Sequence, residues 1–172
     1  MFIEMAVKNS IRGTQLNNFL KLNLMNQKIV LNGNVIINSL PVFYNATEEK
    51  QLKRVLLEKG ELAQIYNSQE AIHLIAYVSF PKETIRGGHY HLYRTEHFYI
   101  IQGTLLLALQ DLESQELIYI EVNTGDTVLI KPKIAHAIKA ITEGHGIEFS
   151  QEQFSPENTI AYPFLIEQLS KK

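Results

Sequence analysis

Three histidines and one glutamate carry the strongest chemical signal in this 172-residue chain. His89 and His91 form a His-x-His pair, Glu96 follows after Leu92 to Thr95, and Gly103 closes the block. His136 lies downstream, at the end of Gly125-Asp126-Thr127-Val128-Leu129-Ile130-Lys131-Pro132-Lys133-Ile134-Ala135-His136. Three neutral imidazoles and a carboxylate are a ligand set for one divalent ion, with zinc foremost and iron, manganese, nickel or copper also suited. The first block arises by chance on the order of once per thousand chains of this composition.

Strand geometry accounts for the spacing. Side chains alternate along a strand, so His89 and His91 share a face while Tyr90 points away. Leu92 to Thr95 suffice for a turn, and Glu96 then opens a second strand that runs to Gln102. On it Glu96, Phe98 and Ile100 share one face, and His97, Tyr99 and Ile101 the other. His136 has to arrive on a neighbouring strand, which a sandwiched or closed antiparallel sheet provides.

The remaining sequence fits that scaffold. Residues 28–44 predict two short strands around the Asn32-Gly33-Asn34 turn signal. Thr14 to Met25 predicts a short helix, and residues 47–58 a helix opened by Thr47. From residue 71 onward, β-branched and aromatic runs recur at short intervals. Asp111, Asn123-Thr124-Gly125, Pro132 and Glu143-Gly144 punctuate them, a pattern of many short strands. Leu165 to Lys172 predicts a short helix or tail. His73, His97 and His145 are read as structural or surface residues.

Composition limits the function. A net charge of −2 gives no electrostatic case for nucleic acid or an anionic membrane surface. No cysteine is present, so thiolate ligands and nucleophiles are excluded. Asp111 and Asp126 are the only aspartates among 18 acidic residues, which disfavours a His–Asp catalytic pair. The start of the chain lacks a basic region followed by a long apolar run, so the cytoplasm is the expected location.

The two blocks resemble the two motifs of the cupins, small double-sheet jelly-roll proteins. The resemblance covers roughly residues 57–165. It implies an all-β fold, a double-stranded β-helix or cupin jelly-roll barrel, with residues 1–56 as an N-terminal extension, 57–165 as the barrel and 166–172 as a tail. It also implies His89, His91, Glu96 and His136 as ligands of one divalent metal. Departures fall at turns and supports: Glu83 and Lys133 stand where Gly is usual, Lys131 where Pro is usual, and Ala140 where Asn is usual.

Within the cupins, Glu58 to Leu62, Ile85-Arg86-Gly87-Gly88-His89-Tyr90-His91 and Ile130 to His136 are similar to nucleotide-sugar enzymes. Those are metal-free 3,5-epimerases and 3,4-ketoisomerases, and the zinc-bearing cupin domain of capsule-sugar enzymes; Phe154 to Asn158 is similar to the last group. The resemblance implies a sugar isomerase or epimerase acting on a nucleotide-linked keto sugar. In it Arg86 contacts substrate, Phe98 walls the sugar, and Glu96 serves catalysis through the metal. Tyr77, from its place on a strand, is a candidate proton-transferring base beside a metal-bound hydroxide. A metal-dependent oxygenase of a small organic acid or phenol and a non-catalytic small-molecule-binding module are the alternatives. The expected partners are a small-molecule substrate and, through an outward Tyr90, Tyr99, Ile101 stripe, a second copy in a homodimer.

Overall fold

The computed structural model describes residues 26–45 and 52–172. They fall into two compact units, one of Gln27–Ser39 with Ser68–Lys172, the other containing Leu40–Asn67. In chain order the strands are Asn26–Val30 (β1), Val35–Ser39 (β2), Val42–Phe43 (β3), Lys53–Leu57 (β4), Gly60–Gln64 (β5), Leu74–Phe80 (β6) and Ile85–His91 (β7). Glu96–Gln102 (β8), Thr104–Asp111 (β9), Leu117–Asn123 (β10), Asp126–Ile130 (β11), Ile134–Ala140 (β12), Gly144–Ser150 (β13) and Thr159–Ala161 (β14) follow, and then the helix Phe164–Leu169 (α1).

The larger unit holds a six-stranded sheet, β1-β2-β11-β8-β13-β6, and a five-stranded sheet, β10-β9-β12-β7-β14. Both are antiparallel wherever register is defined. The arrangement is an all-β fold of antiparallel sheets resembling a jelly-roll core. Phe98, Ile100 and Val128 from the first sheet and Leu105, Leu107, Leu109, Ile134 and Ile138 from the second form one buried cluster. The period-2 spacing of the three leucines is what a strand with one face in the core requires. Each such side chain, fully buried, contributes about 1.5–3 kcal/mol.

The outer face of the five-stranded sheet is covered as well. Ala108, Ala135 and Ala137 are fully buried there with Leu165 and Leu169 of α1, and Tyr90 and Tyr162 pack against them. The alternation in Ile134-Ala135-His136-Ala137-Ile138 follows from this: small residues lie under the helix, large ones and the histidine face the core.

The first third of the chain meets one expectation and departs from another. Residues 35–39 fall within the pair of strands expected around Asn32-Gly33-Asn34 and form β2, which pairs with β11 from Val35↔Ile130 to Ser39↔Asp126. The turn before it matches expectation, with Asn32 and Gly33 at φ of 54° and 83°. In the smaller unit, the stretch predicted as helix over 47–58 contains β4 instead, parallel to β3 and antiparallel to β5. Lys53 and Val55 are buried and Arg54 is not, an alternation that outweighs the helical propensity of Leu56-Leu57. The helix predicted over Thr14–Met25 and residues 47–51 lie outside the described residues. Among the described residues no helix is long and apolar enough to cross a membrane.

Candidate metal centre and cavity

The centre begins with two glycines. Along β12 and β7 the register runs Ala137↔Gly87 and then His136↔His89, so Gly88 is the extra residue of a β-bulge. Gly87 and Gly88 have φ of +84° and +74°, left-handed values that disfavour any side chain. A Cβ on Gly87 would also lie 2.9 Å from the His136 carbonyl oxygen. The bulge sets His89 directly opposite His136 while keeping it in phase with His91. The result is a trio of rings with centroids 4.6 to 5.5 Å apart.

Glu96 reaches the trio from the other sheet. His91 Nε2 is 3.0 Å from Glu96 Oε2, His136 Nε2 is 3.6 Å from the same oxygen, and His89 Nε2 is 3.2 Å from His136 Nε2. One ligand atom from each of the four residues lies within 4.8 Å of all the others. A tetrahedral site with bonds of about 2.1 Å has donor atoms about 3.4 Å apart, so the four residues are close enough to converge on one divalent ion. Their outer nitrogens are held too: His136 Nδ1 is 3.0 Å from the Ile134 carbonyl and His91 Nδ1 is 3.3 Å from Thr159 Oγ1. Such supports fix tautomer and ring orientation around metal ligands.

Electrostatics agree with a cation site. Burial, and then the neighbouring His136, push the His89 imidazole down to about 4, so it is neutral at pH 7. Burial would raise Glu96, but its charge interaction and hydrogen bond with His136, and then His91, hold it well below the usual carboxylate range. Burial disfavours a charged His136 as well, and Glu96 more than compensates, raising it.

Two further residues complete the cluster. Arg94, buried in the connection from β7 to β8, places Nη2 2.7 Å from His91 Nε2, 2.9 Å from Glu96 Oε2 and 2.9 Å from Glu148 Oε1. Glu148 sits on β13 opposite Phe98 of β8. Burial, followed by the Glu96 charge, raises the Glu148 carboxyl despite Arg94. Asn158 anchors the connection: its backbone carbonyl accepts from Leu92 N–H and its Oδ1 accepts from Tyr93 N–H.

These groups face one open cavity. Its wall includes Arg86, His89, Glu96, Phe98, His136 and Glu148. Six of the seven residues singled out from sequence therefore gather here: His89, Glu96, His136, Arg86 and Phe98 line the cavity, and His91 lies buried behind it. Tyr77 does not. It pairs with Ile147 on the outer face of the six-stranded sheet and is 67% exposed, while its neighbour Val78 lines the cavity. The reason is the strand phase: Ala76, Glu148 and Phe98 occupy one row facing inward, which sends Tyr77 outward.

The expected outward stripe is likewise absent. Tyr90 packs beneath α1, and Tyr99, on the other sheet, is buried; only Ile101 is exposed. Sequence reasoning missed Arg94 and Glu148. The available signals were a donor-rich arginine inside the His-to-Glu connection and a carboxylate between Ile147 and Phe149 on an otherwise apolar strand.

The same fold occurs in a dTDP-6-deoxy-D-glucose-3,5-epimerase from Legionella pneumophila, with a TM-score of 0.65 at 13% identity over 86% of this chain and 82% of that one. It occurs in a sugar 3,4-ketoisomerase from Thermoanaerobacterium thermosaccharolyticum, TM-score 0.62 at 19% identity over 83% and 98%. A 3,4-ketoisomerase from Helicobacter canadensis gives 0.56 at 16% identity over 69% and 93%. At these identities the likeness is one of fold, and it agrees with the cupin motifs. No curated protein matches the chain. Residues 57–162, which hold all four candidate ligands together with Arg94 and Glu148, match the polysaccharide biosynthesis C-terminal domain, and the chain belongs to that family.

Proposed function

We propose that the protein is a metal-dependent isomerase or epimerase of a nucleotide-linked keto sugar. The observation that carries this is the cavity itself, where His89, Glu96 and His136 of the three-histidine, one-carboxylate cluster and a second, half-buried carboxylate, Glu148, face the same space. Solved proteins with this fold include 3,5-epimerases and 3,4-ketoisomerases of such sugars, and the family match lies in polysaccharide biosynthesis.

His89, His91, Glu96 and His136 hold the ion, zinc in this reading, which when bound polarises a ketone oxygen as a Lewis acid. Glu148 Oε removes the proton from the carbon beside the ketone and returns it from the same face to the neighbouring carbon while the hydroxyl proton passes to the former ketone oxygen, the ketoisomerase course; epimerisation needs a second group to protonate the opposite face. A carboxyl raised by burial is suited to both halves of that transfer. Arg94 orients Glu148. Arg86 binds an anionic or hydroxyl part of the substrate, and Phe98, held edge-on by Phe80 at 5.7 Å between centroids, walls the sugar ring. The two sheets close into a cupin barrel, and the protein works in the cytoplasm as a homodimer.

The test is solvent exchange. Zinc-loaded protein in D₂O with dTDP-4-keto-6-deoxyglucose should place deuterium beside the ketone, and chelator-treated protein or Glu96→Ala should not. No exchange with any keto sugar, together with oxygen consumption by iron-loaded protein on an organic acid or phenol, would replace this reading with an oxygenase. Binding without either reaction would leave a small-molecule-binding module.

A further inference from the structure

Arg94 stands in an unusual relation to the ligands. An imidazole nitrogen has one in-plane lone pair, and a guanidinium can only donate. At 2.7 Å from Arg94 Nη2, His91 Nε2 is an acceptor in the tautomer protonated at Nδ1, in which it cannot also donate to Glu96 Oε2 at 3.0 Å, and it then spends on Arg94 the lone pair that a metal would need. Glu96 Oε2 receives the same nitrogen at 2.9 Å. The Nη2 group has two hydrogens but three acceptors within 2.9 Å, the third being Glu148 Oε1. At the other end of the guanidinium, Arg94 Nε is buried without a hydrogen-bond partner among the described residues. Arg94 is thus held between two seats, the metal ligands and Glu148, and is not fully satisfied across both.

The charges point the same way. Glu96 and Glu148 bring two negative charges into a buried site, and a divalent ion alone would neutralise them. With Arg94 also present the cluster carries one positive charge in excess, which opposes metal binding in a low-dielectric interior. The connection that carries Arg94 is pinned by Asn158 through Leu92 and Tyr93, so the side chain, not the backbone, has to give way.

We propose that Arg94 is a resident counter-cation of the metal centre, which an incoming divalent ion displaces from His91 and Glu96 onto Glu148. Metal affinity is then set by the arginine as much as by the four ligands, and metal loading and the placement of Glu148 are coupled. The inference rests on the metal-binding part of the reading above and is independent of the sugar.

Titration of the full chain with Co²⁺ and Zn²⁺, by calorimetry and chelator competition, tests it on the unsubstituted protein, Arg94→Met and Arg94→Gln. Loss of the competing cation should tighten binding at least tenfold in both variants. The rise in melting temperature on adding metal should be larger in them than in the unsubstituted protein. Metal binding by the variants alone would support the proposal still more directly. Equal or weaker binding in the variants overturns it while leaving the metal site intact; no binding in any of the three proteins overturns the metal site as well. If the variants do not fold, the ¹⁵N side-chain resonances of Arg94 in the unsubstituted protein decide: stoichiometric zinc should shift them, and an unmoved signal refutes displacement.

Discussion

Glu148→Gln separates chemistry from structure in this cavity. The amide keeps the shape of the carboxylate and keeps an oxygen that can accept from Arg94, but it cannot take a proton at any accessible pH. If Glu148 is the base, the loss should equal the usual contribution of a positioned general base, about 10²–10⁴ in rate, or about 2.7–5.5 kcal/mol of barrier. Stability should move far less. The Glu148 side chain is 22% exposed, and the variant loses an ion pair with Arg94 while escaping the Glu96 charge. These effects oppose each other, and the net change should stay within about 1 kcal/mol, which for a chain of this size is about 2–4 °C in melting temperature.

The pH dependence adds a sign. Burial and Glu96 raise the Glu148 carboxyl above its ordinary 4.5. Deuterium wash-in by the unsubstituted protein should therefore climb through a midpoint above 4.5 and then level off, and Glu148→Gln should lack that limb. Between the ordinary value and the raised one the folded protein holds a proton that the unfolded chain has lost. The stability contributed by Glu148 is thus complete at low pH and is lost as pH rises through the folded value. Relative to the unsubstituted protein, Glu148→Gln should be more stable at pH 7 than the same comparison shows near pH 4. Wash-in within threefold of the unsubstituted rate, in a variant that still binds zinc, would refute Glu148 as the base.

His89, depressed to about 4 by burial and His136, has the opposite sign: below 6.5 the unfolded chain takes up a proton that the fold refuses. The stability difference between unsubstituted protein and His89→Gln, both metal-free, should therefore fall as pH drops from 6.5 to 4 and be flat below that, by urea denaturation at each pH. Gly87→Ala puts a Cβ 2.9 Å from the His136 carbonyl at a φ of +84° and should cost about 1–3 kcal/mol; thermal denaturation should show it, and Co²⁺ affinity should fall because the bulge no longer aligns His89. Ile75 and Tyr77 are 68% and 67% exposed on β6, the edge of the six-stranded sheet, and Tyr77→Glu should convert a species of twice the chain mass into one of the chain mass in light scattering; an unsubstituted protein that is already monomeric contradicts the dimer.

What was legible in the sequence, and what was not, follows from the range over which each signal acts. His89, His91, Glu96 and the strands that carry them were readable because the strand period and the length of one turn determine their relation locally. The double glycine was visible as a motif, but the bulge it makes became clear only once β12 was laid beside β7. The β4 segment misled because Val55-Leu56-Leu57 is a short apolar run, and such runs do not separate strand from helix by pattern alone. Tyr77 misled because residue type does not set the phase of a strand: Tyr77 and Val78 are equally good β formers, and only pairing with β13 decides which of them faces the cavity.

Glu148 and Arg94 were hidden for a deeper reason, since their roles exist only between the sheets. Facing sheets lie about 10 Å apart. His91 ends a strand of one sheet and Glu96 opens a strand of the other, so the four residues Leu92 to Thr95 have to cross that gap beside the cluster. The crossing leaves little room to turn every side chain toward solvent. Leu92 and Tyr93 remain exposed, and Arg94 is buried against the ligands. Once there, its charge needs more than one carboxylate, and Glu148 on β13 supplies the second. The short spacing from His91 to Glu96 that marks the metal motif is thus the same constraint that drives a cation into its centre. In this chain three of the four candidate ligands flank one turn, the proposed competitor lies on it, and His136 joins them from β12.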